Sequence, residues 1–93
     1  MKFEVLWMAD AEAELASLWL VAADRKAFTQ SATRLERLLR NSPAISGELV
    51  FDTVRQLTVS PIAVEYEVLE DDTRVVVFSV WDVDTGPPEP IYN

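Results

Sequence analysis

The sequence predicts an α+β fold in which an antiparallel sheet is covered on one face by a helical hairpin, in the order β-α-α-β-β-β. Three observations predict it. Apolar residues recur at helical spacing through the first half of the chain, as far as Pro43. From Leu49 onward that spacing gives way to runs of β-branched and aromatic residues broken by turn signals. The two helical stretches meet at Asp24 with almost no chain between them. They therefore form an antiparallel hairpin, whose apolar stripes must lie on the sheet and leave its other face open.

Phe3-Glu4-Val5-Leu6-Trp7 favours a strand, read from about Lys2 to Met8. Asp10 then caps a helix over about 11–23, with Glu12 and Glu14 in the first turn, where the helix dipole favours acids. Leu15, Leu18, Trp19 and Ala22 form its buried stripe. Asp24 caps a second helix over about 25–40, with Phe28, Ala32, Leu35, Leu38 and Leu39 on one side. Arg34, Arg37 and Arg40 line the other side, and Asn41-Ser42-Pro43 stops the helix. Pro43 to Gly47 reads as a surface loop. Leu49–Val59 reads as a strand, Ser60-Pro61 as a turn and Ile62–Leu69 as the next strand. Glu70-Asp71-Asp72-Thr73 is a hairpin loop before a last strand over Val75–Val83. Residues 1–86 are expected to form one domain, and the Pro-rich residues 87–93 a loose tail.

Composition removes most chemistries. The chain has 93 residues, the size of one small domain, with no cysteine and no histidine. Disulfides, thiolate nucleophiles, imidazole bases and zinc sites built from sulfur or imidazole are excluded. Two glycines, Gly47 and Gly86, cannot build a phosphate-cradling loop. No apolar stretch is long enough to span a bilayer, and an acid inside the first apolar run argues against a signal peptide. A cytoplasmic protein without cofactor or metal is expected. Residues 1–41 hold six bases and six acids, whereas residues 42–93 hold Arg55 and Arg74 against ten acids. The net charge of −8 therefore lies wholly in the second half, which repels phosphate backbones and argues against direct nucleic-acid binding.

Several segments together resemble one family. They are Ala13-Glu14-Leu15-Ala16-Ser17-Leu18-Trp19 and Leu35-Glu36-Arg37-Leu38-Leu39 with Asn41-Ser42-Pro43, followed by Val54-Arg55-Gln56-Leu57, Val64-Glu65-Tyr66-Glu67-Val68 and Arg74-Val75-Val76-Val77-Phe78-Ser79-Val80-Trp81. In this order and spacing, over residues 2–86, they resemble the RelE/ParE superfamily of type II toxin–antitoxin toxins, nearer its ParE-like, plasmid-stabilisation branch. The resemblance implies a small toxin held by a cognate antitoxin protein and acting on gyrase or, in RelE-like members, on messenger RNA at the ribosome. RelE-like cutting depends on bases of the open sheet face and near the C-terminus. Arg55 and Arg74 stand where such bases are common. Glu67 and Ser79 stand where ParE-like chains carry arginine, Asp82 where histidine is frequent and Thr85 where another arginine is usual. RelE-like chains carry a functional arginine close to the position of Ala63, which has no charge to offer.

The catalytic candidates are thus Arg55 and Arg74, as charge donors to a developing phosphorane, and Tyr66 as a general acid. Each has a simpler role: a strand arginine paired with a nearby acid, and a core tyrosine alternating with Val64 and Val68. Candidates for contacting a partner are the Arg34, Arg37, Arg40 row, Trp81 at an open strand end, and the carboxylates Glu65 and Glu67 on one side of their strand. Trp7, on a central strand, and Trp19, on a buried stripe, read as core. The register of the last hairpin, uncertain by one residue, decides whether Glu65 and Glu67 share a face with Trp81 or with Phe78. Three functions compete: an antitoxin-bound toxin, a protein-binding module that has lost the basic face, and a ribosome-dependent mRNA endonuclease. The missing bases count against the enzyme.

Overall fold

The structure is a computed structural model and describes residues 2–87. Strand β1 (Glu4–Trp7) leads into helix α1 (Ala9–Val21), helix α2 (Arg25–Asn41) and the one-turn helix α3 (Pro43–Ser46). Strands β2 (Glu48–Phe51), β3 (Val54–Val59), β4 (Ile62–Leu69) and β5 (Arg74–Asp82) follow. They form one sheet in the order β1-β5-β4-β3-β2. The pairs β3–β4 and β4–β5 are antiparallel, as expected; β2 pairs antiparallel with β3, and β1 joins the outer side of β5 in parallel. Both helices of the hairpin lie on one face.

The capping chemistry differs between the helices. The Asp24 side chain accepts the Ala27 N–H at 3.0 Å, so the expected cap of α2 is present. Asp10 does not cap α1. The helix starts one residue after β1, because the Met8 N–H remains in the sheet on the Val77 carbonyl while the Met8 carbonyl accepts from Glu12. Asp10 is left in the first turn, where its charge meets the helix dipole.

Phe28, Leu35 and Leu39 of α2 are buried against Leu57, Ile62, Val64, Tyr66, Val75 and Val77. From α1 only Ala11 is fully buried, with Leu15 and Leu18 partly so. The buried stripe expected on α1 is therefore shallower, and Trp19 is 40% exposed. Its indole N–H donates to Thr29 Oγ1 at 3.0 Å, and Arg25 stacks on its ring at 4.8 Å. Trp7 lies on an edge strand and not a central one. It is half-buried, with its N–H directed at Glu36.

The strand expected over Leu49–Val59 is broken in two. Asp52 turns the chain with φ of 52°, in the left-handed region that aspartate tolerates better than most residues. The loop expected over Pro43–Gly47 is helical for one turn, and Pro43 is buried beneath the Tyr66 hydroxyl. Ser60-Pro61, with a cis bond, turns β3 into β4 as expected. The Glu70–Asp72 turn is 3-10 helical, and Thr73 exits it with φ of 47°. The expected tail lies, from residue 88 onward, outside the described residues.

Candidate functional site

Strand pairing decides which side chains share a face, because residues directly opposite in adjacent strands project to the same side. On the helix-covered side Arg55 pairs with Tyr66 and Tyr66 with Val77. On the open side Glu48 pairs with Gln56, Gln56 with Glu65, and Glu65 with Ser79. A second open-side row holds Glu67, Val76 and Leu6, and a third holds Leu69, Arg74 and Glu4.

The three catalytic candidates consequently divide, Arg55 and Tyr66 onto the helix-covered face and Arg74 onto the open one. Arg55 lies beneath the helical layer, donating to the Gly47 carbonyl at 3.1 Å. Tyr66 is fully buried beside it and donates its hydroxyl to the Pro43 carbonyl at 2.7 Å. Burial pushes the Tyr66 hydroxyl above its ordinary pKa, with the Arg55 charge and the Gly47 backbone partly opposing. A general acid needs reach to solvent or substrate and a pKa brought toward neutrality, and this tyrosine has neither. Arg74 stands on the opposite face, in an ion pair with Glu4 at 3.2 Å. No constellation for phosphoryl transfer assembles from these residues.

The partner-contact candidates fare differently. Glu65 and Glu67 are half-buried on the open face, with Thr53 donating to Glu67. Arg34, Arg37 and Arg40 are all exposed along α2, and Arg40 lies 3.8 Å from Glu36. Trp81, expected to be open, is only 7% exposed; it pairs with Ala63, itself 1% exposed, across β4 and β5. The register question is answered by a bulge between Glu65 and Tyr66, which leaves Phe78 without an opposite residue. Phe78 and Trp81 both fall on the side of Glu65 and Glu67: Phe78 lines a groove with the two carboxylates, and Trp81 stands opposite Ala63.

That groove crosses the open face. Glu65, Glu67, Val76 and Phe78 form its floor, with Met8 at one end and Val54 and Phe51 at the other. Met8 is 53% and Phe51 67% exposed. Met8, Phe51 and Val76 were missed as site residues in the sequence. Phe51 was legible only as part of the non-alternating run Leu49-Val50-Phe51, and the others depend on which strands become neighbours. The open-side strand residues Glu4, Glu48, Glu65 and Glu67 oppose one guanidinium, that of Arg74, which is already paired. The face is apolar and acidic. Among the described residues no group of histidine, cysteine and carboxylate side chains could hold a metal ion, and no helix is long and apolar enough to cross a membrane.

A mixed five-stranded sheet with one helical hairpin, its other face covered by no helix among the described residues, defines a class of small two-layer α+β proteins. This is the fold of the RelE and ParE toxins. The RelBE2 toxin–antitoxin complex of Mycobacterium tuberculosis matches with a TM-score of 0.73 at 14% identity, covering 88% of this chain and 99% of that one. The chromosomal ParDE system of P. aeruginosa matches with 0.66 at 15% identity, covering 88% and 97%. The intact E. coli RelBE complex matches with 0.61 at 22% identity, covering 95% and 99%. No protein-family model and no curated protein sequence matches the chain.

Proposed function

We propose that the chain is the toxin-like member of a cytoplasmic toxin–antitoxin pair, held by a cognate antitoxin. The observation that carries this reading is the likeness, over 88% and 95% of the chain, to toxin–antitoxin complexes, RelBE2 of M. tuberculosis and RelBE of E. coli. A partner surface of the right kind is also present, since exposed apolar side chains cross the open face.

In this reading any toxic action runs through protein contact, with gyrase or the translation machinery as the target, and not through RNA cutting. Cutting would require free cations facing the scissile phosphate, each such donor contributing on the order of 10²–10³ in rate. Here Arg74 is paired and Arg55 faces the other way. The same observation favours a second reading, a partner-binding module of toxin fold without toxicity.

Tight induction of the chain alone in a bacterial culture, then with its neighbouring gene, tests the proposal. Arrest that the neighbour relieves, with intact messenger RNA, is the expected result. Messenger RNA cleavage lost in Arg55→Ala would overturn the mechanism. Undisturbed growth at confirmed soluble expression would select the second reading.

A further inference from the structure

The groove on the open face runs across the strands and not along them. Its lining begins after β1 at Met8 and ends on β2 at Phe51, so it traverses the full strand order of the sheet. Four strand-to-strand steps at about 4.8 Å each give a length of about 19 Å. An α-helix covers that distance with about 13 residues. The apolar side chains lie toward the two ends, Met8 and Phe78 at one and Phe51 and Val54 at the other, with Glu65 and Glu67 between them. Neither carboxylate makes an ion pair among the described residues.

We propose that this face docks a cationic amphipathic helix of a partner protein, its apolar residues filling the two ends of the groove and its arginines pairing with Glu65 and Glu67. The charge pattern selects that occupant. The chain's own residues 83–93 hold two acids and no base, so they bring no complementary charge. A second copy offers its Arg34, Arg37, Arg40 row, but the apolar side of that helix is buried in its own core, leaving a polar surface. Nucleic acid would meet four carboxylates against one paired guanidinium. Arginine suits the role better than lysine, because a half-buried carboxylate is best met by two parallel N–H donors.

The inference names the chemistry of the partner segment and rests on the function proposed above only for where that segment comes from. It is tested on the full chain with labelled 14-residue peptides read by fluorescence anisotropy. One peptide carries leucines at helical spacing flanked by arginines; the second replaces arginine by glutamate; the third scrambles the first. The first should bind at micromolar concentration, the second not at all, and the third at least tenfold more weakly. Glu65→Gln with Glu67→Gln should weaken binding about tenfold and flatten its salt dependence. Phe51→Ser should weaken binding and leave the salt dependence intact. Equal binding of the first and scrambled peptides would reduce the effect to general polycation attraction and overturn the proposal. So would unchanged affinity in the Gln variant, displacement by an RNA oligomer, or concentration-dependent self-association that blocks the peptide. Growth arrest without peptide binding would sink this inference and leave the toxin reading standing; peptide binding without arrest would do the reverse.

Discussion

The two faces of the sheet are built from the same strands and carry opposite chemistry. Beneath the helices, Val64, Tyr66, Val75 and Val77 meet Leu35 and Leu39, and all six are fully buried. On the open side the residues between them are Glu65, Glu67, Arg74, Val76 and Phe78, all half-buried. Strand alternation thus separates a packed layer from an apolar, acidic one within single strands, one residue apart. The candidates for chemistry divide the same way. Arg55 and Tyr66 belong to the packed layer and hold α3 in place, whereas Arg74 belongs to the open face.

The contrast can be broken most severely from the packed side. Leu39→Ala should destabilise by about 2–5 kcal/mol in urea unfolding, since the side chain is wholly buried and its removal leaves a cavity. Tyr66→Phe should cost about 1–3 kcal/mol, because the Pro43 carbonyl loses its hydroxyl donor. Gly47→Ala should cost a similar amount, about 1–3 kcal/mol by overpacking, because a Cβ there meets the Tyr66 hydroxyl and stands 2.7 Å from the Gln56 carbonyl. Combined with Tyr66→Phe, its cost should fall below the sum, since the clashing oxygen is gone.

Alkaline titration sharpens the difference further. The Tyr66 pKa is raised in the folded state, so the neutral phenol's contribution is complete below its ordinary value of about 10 and is lost as pH rises through the folded value. Urea midpoints should fall above that pH in the parent chain and remain flatter in Tyr66→Phe. The open face should respond least. Arg74→Ala removes an exposed ion pair with Glu4 and should change stability by about 0–1 kcal/mol in the same assay.

The packed side was the more legible in the sequence, for a physical reason. Phe28, Leu35 and Leu39 declare their face by helical spacing, and Val64, Tyr66 and Val68 by alternation; both are local signals. The same alternation sets Arg55 with Leu57 and Val59, against a role as an open-face base, but the unbroken apolar run from Leu49 conceals it. The break at Asp52 was hidden because no glycine marks it. The stripe on α1 misled for a different reason: Leu15, Leu18 and Ala22 do reach the core, yet Trp19 turns its indole to Thr29 and Arg25 and stays exposed. The groove required two long-range facts that no window of sequence holds, the parallel seating of β1 and the bulge beside Glu65.

The seating of β1 has a consequence for synthesis. Of the five strands β1 is made before the other four, yet it pairs with one strand only, β5, which is made after them. Until Arg74–Asp82 emerge, β1 has no strand to pair with and one side of β4 stands unpaired. The nascent chain therefore cannot complete its sheet gradually, and closure of this order, with its large sequence separation, is slow compared with helix formation. A chain that stops between β4 and β5 leaves β1 without a strand partner and exposes the side of β4 that β5 covers, an unpaired edge of the kind that invites aggregation.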